Sequence, residues 1–374
     1  MLSVELAEEI VRETMDRVNR NINMMDETGR IIASGDASRI GQRHEAAAVA
    51  IRENRVVRVD ESAAERYPGV QIGINLPIRY QDRIIGAIGI TGQPEEVEPL
   101  GELIKMTTEL MIRQNDLKLQ GEWRQLTIDA AIDQLLHGPS TDLAGIRQRL
   151  DALRLTFEAP FRLAIIAYSP DDLGRDSEDL LPRIISMTTG EPVIVSRIRP
   201  HMLVLLFSRA NRIPIPRWLR SLHDRLAEKR RTLRIAVGNE AATIELIRAS
   251  YAEASMALPF ATSGESRADI VYFDEIEARA LTGLIPHEHA ARLWHKIAGH
   301  WNGKMTETIT HFCRANLSIA EAAESLGIHR NTMIYRLEQI KTLTGYDPRR
   351  FEHAMLLQIA LWHRETTETT GRNR

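Results

Sequence analysis

The stretch SIAEAAESLGIHRNTMIYRLEQIKTLT, Ser318 to Thr344, reads as two helices joined by a tight turn. Ser318 predicts an N-cap, and Glu321, three residues on, completes a capping box. Ile319, Ala322, Ala323 and Leu326 recur at helical spacing and bury one side of a short helix. Gly327 then stands where a left-handed residue ends a helix, and Ile328 packs the turn. A second helix begins near His329, with Met333, Ile334, Leu337, Ile340 and Leu343 as its inward stripe. His329, Arg330, Asn331, Thr332, Tyr335 and Arg336 are left at its start and on its outer face. A helix-turn-helix offers such residues to base edges in the major groove. An ordinary amphipathic helix pair is the competing reading. Against it stand the short turn and a local charge of five Lys/Arg to two Asp/Glu from His329 to Arg350, in a chain whose net charge is −3.

The same residues carry a family resemblance. HRNTMIYRLEQIKTLTGYD, His329 to Asp347, resembles the C-terminal DNA-binding segment of the CdaR/SdaR sugar-diacid regulators and of PucR-type bacterial activators. Their pattern is H-x-N-T-x-x-Y-R-L-x-x-I followed by L-T-G-x-D. Met333 stands where Leu is usual. The resemblance implies that His329, Arg330, Asn331, Thr332, Tyr335 and Arg336 meet DNA.

Upstream, Leu100 to about Lys118 predicts a helix with Leu103, Met106, Leu110 and Leu117 along one side. Gly121 marks a hinge before a second helix, Glu122 to His137. The apolar side serves either a dimer contact or docking on the preceding domain.

Residues 1–99 read as a PAS- or Cache-like sensor: a helix from Leu2 to Arg20, a hairpin at 22–34, a helix from about Gly41 to Glu53, a strand at Val56 to Val59 and a closing strand pair, Gln71 to Tyr80 and Ile84 to Thr91. Two segments extend the resemblance. SGDASRIGQRHEAA, from Ser34, is similar to the family's S-G-D-x-x-R-I-G-x-x-H-E-G-A, and GINLPIRYQDRIIGAIGITG, from Gly73, to its G-I-N-L-P-I and G-x-I-G-I-T-G. Ala46 replaces the usual Gly, adding a methyl that could narrow the pocket.

A small sugar acid or dicarboxylate needs a guanidinium fork, which Arg39 can supply, and further donors, which His44 and Asn75 can supply. Ile40 and Gly41 would put backbone N–H groups at a helix N-terminus, and Ser34, Thr91 and Gly92 would close the pocket. The alternative is a surface charge cluster of Arg39, His44 and Glu45. HEAAA lacks the second His of a metalloprotease helix, since Ala48 stands there.

Residues 139–286 read as an α+β layer, with strands at 161–168, 192–197, 202–207, 233–239 and 270–273 and helices at 142–153, 178–188, 217–229 and 243–257. The order resembles the degenerate GGDEF-like middle domain of the same family. The hairpin SRIRPHMLVLLF, from Ser196, lacks the glycines and carboxylates of a working cyclase, so no cyclase activity is expected. The acidic run Asp171, Asp172, Asp176, Glu178 and Asp179 reads as a solvated loop.

Residues 287–374 read as an all-α helix-turn-helix domain. His287, His289, His295, His300 and His311 crowd its start without ligand spacing, so no metal is predicted, and nothing calls for a cofactor. Helices at 303–316 and 351–363 complete the bundle, the latter through Met355, Leu356, Ile359 and Leu361, and the tail TTETTGRNR reads as disordered.

At 374 residues the chain predicts two or three domains, and its composition is that of a soluble protein. The lone Cys313 fits a reducing cytoplasm, and no apolar run is long enough to span a membrane. The sequence therefore predicts a cytoplasmic, homodimeric, one-component regulator of transcription, an activator by family, binding operator DNA and a small acid such as glycerate, glucarate or galactarate. A PucR-like sensor of a purine metabolite, and an enzyme using His44 and Glu45 as acid and base, are the rivals.

Overall fold

The computed structural model describes residues 2–64, 70–139, 142–168, 180–227, 233–261 and 269–371. They form two compact units, Met1–Arg124 and Gln125–Arg374.

The first unit opens with α1 (Val4–Val18), capped by Ser3 Oγ and ended by Asn19 in the left-handed region. Strands β1 (Ile22–Asp26) and β2 (Ile31–Ser34) form a hairpin; α2 (Glu45–Glu53), β3 (Val57–Val59) and the single turn α3 (Glu61–Ala64) follow. A second hairpin joins β4 (Gly73–Tyr80) and β5 (Arg83–Thr91), after which α4 (Pro94–His137) begins. The sheet runs β2-β1-β5-β4-β3, with neighbours antiparallel.

Both faces of this sheet are covered, which is why its central strands read as apolar runs rather than alternating ones. Ile22, Met24, Ile74, Leu76, Ile88 and Ile90 pack with Ile10 and Val11 of α1 and with Val97, Ile104 and Ile112 of α4. Met25, Ile31 and Ala87 pack with Ala47 of α2. Helix α2 begins at Glu45, not Gly41. Gly41 takes φ +84° and its N–H bonds Ile31 C=O (2.8 Å), while Ile31 N–H bonds Gln42 C=O (2.9 Å), so this segment lies against β2 and cannot wind.

Helix α4 is a single 44-residue helix. No break occurs at Gly121, whose α-carbon faces open space, so the predicted hinge is absent. Pro94 and Pro99 lie in its first two turns; Pro94, at the first helical position, forgoes an N–H that would lack an intrahelical partner in any case.

In the second unit the last turns of α4 bury Ile128, Ala131, Ile132 and Leu135 with Ile146 and Leu150 of α5 (Leu143–Ala152). Strands β6 (Arg162–Ala167), β7 (Val193–Arg199), β8 (Met202–Phe207), β9 (Arg234–Val237) and β10 (Ile270–Tyr272) form a sheet in the order β10-β9-β6-β8-β7. Only the β9–β10 pair is parallel. Helices α6 (Leu180–Thr188) and α7 (Ile215–Ala227) cover one face, and α5 and α8 (Ile247–Ala257) the other. The acidic run 171–179 lies outside the described residues. Helices α9 (Phe273–Leu281) and α10 (His287–Ala298) lead on to the C-terminal bundle.

That bundle contains α11 (Gly303–Arg314), α12 (Ile319–Ser325), α13 (Arg330–Thr344) and α14 (Phe351–Gly371). Helix α14 continues well past His363, through most of the tail predicted to be disordered. Among the described residues its buried side chains are Ala354, Leu357, Gln358, Ala360 and Leu361; of the predicted stripe, Leu361 is buried, Leu356 and Ile359 are half-buried and Met355 is exposed. Cys313 is half-buried among apolar neighbours, and burial pushes its thiol up to about 11.

Candidate ligand pocket and nucleic-acid interface

In antiparallel sheets, residues directly opposite each other point to the same face. One such row crosses the whole first sheet: Ser34 on β2 faces Asn23, Asn23 faces Gly89 on β5, Gly89 faces Asn75 on β4, and Asn75 faces Val57 on β3. The row is polar at Ser34, Asn23 and Asn75 and empty at Gly89. A Cβ at Gly89 would lie 3.0 Å from Asn75 Oδ1 and 3.9 Å from Asn23 Cβ, so the glycine holds the floor of a cleft open between two buried amides.

The cleft is lined by Asn23, Asn75, Gly89, Arg39 and His44, together with Gln71, Gly73, Ile74, Ile90 and Thr91. Its empty volume is about 200 Å³, open mouth included. Ser34 Oγ donates to Asn23 Oδ1 (2.6 Å). Asn75 Oδ1 is buried and finds no donor among the described residues. An orphaned buried carbonyl costs about 1–3 kcal/mol, a penalty that a bound hydroxyl or amine would remove.

Arg39 reaches the cleft from a single 3₁₀ turn, Ala37–Arg39, capped by Asp36, and is only 9% exposed. His44 is the N-cap of α2; its Nδ1 accepts from Ala47 N–H (3.2 Å), so the neutral ring carries its proton on Nε2 as a donor. Burial, reinforced by the Arg39 guanidinium, pushes this imidazole down to about 4. The cleft thus combines one guanidinium, a neutral imidazole N–H and primary amides.

Of the residues predicted for the pocket, Arg39, His44, Asn75 and Thr91 come together, and Ser34 stands one place behind, on Asn23. Ile40 and Gly41 do not join them. Their N–H groups are spent on Ala37 C=O (3.3 Å) and Ile31 C=O (2.8 Å), and the helix whose N-terminus they were to form starts four residues later. Gly92 N–H bonds Ile72 C=O (3.0 Å) and is not in the lining. Ala46 packs against Ala50, Val57 and Val59, away from the cleft, so its methyl does not narrow it. Glu45 is exposed and paired with Arg43 at 3.0 Å, so the surface cluster with Arg39 and His44 does not form. Sequence reasoning missed Asn23, Gln71, Gly73 and Gly89. Asn23, a lone amide in the run INMMD, carried a usable signal.

In the C-terminal bundle the turn between α12 and α13 is a Schellman motif. Ile328 N–H bonds Ala323 C=O and Gly327 N–H bonds Glu324 C=O, each at 3.0 Å, with Gly327 at φ +64°. Ser318 Oγ accepts from Glu321 N–H (3.4 Å), but Ser318 N–H donates to Ala315 C=O (2.9 Å), so only half of the predicted capping box forms. Phe312, Ala322, Ala323, Met333 and Leu337 make the small core that fixes the two helices together. Ile340 is buried too, whereas Ile334 is half-buried and Leu343 exposed, because a 3.6-residue period carries both away from the buried face.

His329 caps α13, its Nδ1 accepting from Asn331 N–H (3.2 Å). Arg330, Asn331, Thr332 and Tyr335 are exposed, Tyr335 at 67%. Arg336 differs: its side chain is 22% exposed and its guanidinium lies 3.3 Å from Glu307 of α11. Lys341 and Arg349 are tied to Glu338 and Asp347, and hydrogen bonding from Arg349 holds Asp347 down to about 2.

Three family models match the chain. A sugar diacid recognition family model matches residues 2–135, a GGDEF-like domain matches 137–259, and the PucR C-terminal helix-turn-helix domain matches 305–362. The carbohydrate diacid regulator of Escherichia coli is 32% identical over 96% of this chain and 97% of its own length. The chain belongs to the carbohydrate diacid regulator family. Among other relatives, an uncharacterized protein of Haemophilus influenzae is 29% identical over 91% of this chain and 93% of its own. The purine catabolism regulatory protein of Bacillus subtilis is 28% identical over 36% of this chain and 27% of its own. The GGDEF-like match spans β6 to β9, and the β7–β8 turn carries Pro200 and His201. Among the described residues there is no cluster of three metal-ligating side chains, and no helix long and apolar enough to cross a membrane.

Proposed function

We propose that the chain is a DNA-binding transcriptional regulator, an activator, controlled by a small hydroxy acid or sugar diacid such as glycerate, glucarate or galactarate. The effector sits in the cleft between α2 and the first sheet. The observation that carries this reading is the row of buried amides over Gly89, with Arg39 at its edge. Arg39 takes the carboxylate, His44 Nε2–H and the amides take further oxygens, and a ligand hydroxyl donates to the orphaned Asn75 Oδ1. Arg330, Asn331, Thr332 and Tyr335 face the major groove, with His329 ordering the helix start.

In this reading, residues 1–99 are a PAS- or Cache-like sensor, 100–138 a connector, 139–286 the middle domain and 287–374 the DNA-binding domain of a cytoplasmic homodimer. The antiparallel order β2-β1-β5-β4-β3 with helices on both faces supports the sensor assignment. The purine rival has less support, since that relative matches only 36% of the chain. The enzyme rival loses its acid–base pair: His44 Nδ1 is occupied as a cap and Glu45 lies outside the cleft.

The test is a thermal-shift panel of glycerate, glucarate, galactarate and a purine. Wild type is expected to gain stability with at least one acid, and Arg39→Ala to lose that gain while keeping its ligand-free melting temperature within a few degrees. An unaltered acid response in Arg39→Ala removes Arg39 from the site.

A further inference from the structure

Helix α4 has two apolar faces, of which only one is covered within the first unit. Ile104 and Ile112 are buried on the sheet, and Thr108 is buried between them. On the other side Leu103, Met106, Leu110 and Leu117 are 55%, 54%, 57% and 60% exposed. Leu103, Leu110 and Leu117 recur every seven residues, and Met106 lies three beyond the first. That is the a/d spacing of a coiled-coil seam, a period of 3.5 rather than the 3.6 of a helix lying on a globular surface.

The flanks of this row identify what covers it. One flank carries Glu102, Glu109 and Asp116, again seven apart. Two of these are held in place: Glu109 accepts from Arg79 N–H (2.8 Å), and Asp116 from the Tyr80 hydroxyl. The opposite flank carries Thr107, Gln114 and Gly121, without charge. An antiparallel copy of the helix would set the acidic flanks against each other. A parallel copy sets each acidic flank against the neutral one, with Arg113, at the next d position, opposite its own counterpart. We propose that two copies of this chain pair in parallel along α4 from Leu103 to Leu117.

The proposal rests on the regulator reading in one respect, that a short recognition helix needs a second copy to read paired half-sites. It gives the homodimer a surface, a register and a direction. Its test uses the full chain with Cys313→Ala, which removes the native thiol, and a single cysteine in place of Leu103, Leu110 or Leu117. On oxidation each position is expected to form a disulfide with its own counterpart. A mixture of the 103 and 117 cysteine chains, one carrying a mass tag, is expected to give no 103–117 disulfide. A dominant 103–117 disulfide, or no disulfide in a chain that light scattering shows to be dimeric, overturns it.

Leu110→Glu, at an exposed position where folding is undisturbed, is expected to be monomeric at micromolar concentration and to bind a duplex selected by wild type at least tenfold more weakly. It should keep the thermal shift with glycerate. A Leu110→Glu chain that stays dimeric, or a wild type that is monomeric, overturns the pairing. A wild-type dimer that cross-links as expected but selects no duplex leaves the pairing standing and overturns the DNA-binding reading instead.

Discussion

Gly89 does at the scale of one residue what a pocket usually needs several residues for. Its missing side chain is the space between Asn23 and Asn75, and a methyl there would press within 3.0 Å of Asn75 Oδ1. Gly89→Ala is expected to weaken acid binding by about tenfold or more, about 1.4 kcal/mol, with a small change in unliganded stability; isothermal titration separates the two. His44 sets a pH limit on the same site. Its folded value near 4 lies below the ordinary 6.5, so the unfolded chain takes up a proton first as pH falls. The contribution of the neutral ring is complete above pH 6.5 and is lost between 6.5 and 4, at most about 3 kcal/mol. Melting of the first unit followed from pH 7.5 to 4.5 should fall across that window, and in His44→Gln the fall should be shallower.

The elements were largely legible where one face alone was buried. The period of residues 318–344 placed α12 and α13 to within a residue or two, because Gly327 and the Ser318 cap are local devices that act without help from the rest of the chain. Legibility failed where tertiary contacts overrule local preference. The segment Ile40 to Arg43 looked like a helix start, but it is tied to β2 by its own backbone. Asn23 hid in an apolar strand because both faces of the sheet are covered. Gly121 looked like a hinge because glycine disfavours helix interiors, yet α4 continues unbroken through it. Its φ is not positive and its surroundings are open, so Gly121→Ala is expected to raise stability by about 0.5–1 kcal/mol and to leave the response to acid intact. A loss of response in that variant would restore the hinge.

For the molecule as a whole, the acid cleft and the recognition helix fall in different units, so variants confined to the cleft lining or to the recognition helix should spare the unliganded activity of the other site. Arg330→Ala is expected to weaken duplex binding and to lower the salt slope by about 1, as the loss of one phosphate contact does, without altering the acid thermal shift. Arg336 is expected to behave differently, since Glu307 competes for its guanidinium. Glu307→Gln frees that charge and should tighten duplex binding by roughly two- to fivefold, on the order of 0.5–1 kcal/mol, the scale of an exposed ion pair. A salt titration of both variants decides between them.

The unsatisfied oxygen of Asn75 bears on what the regulator ignores. A carboxylate that carries a hydroxyl can quench that oxygen, whereas its deoxy counterpart buries it unmet and must forgo the bond. Discrimination of this kind comes from penalty rather than from added attraction, and it is steeper than any that shape alone provides. A cell rich in plain aliphatic acids could therefore raise their concentration widely without triggering the switch.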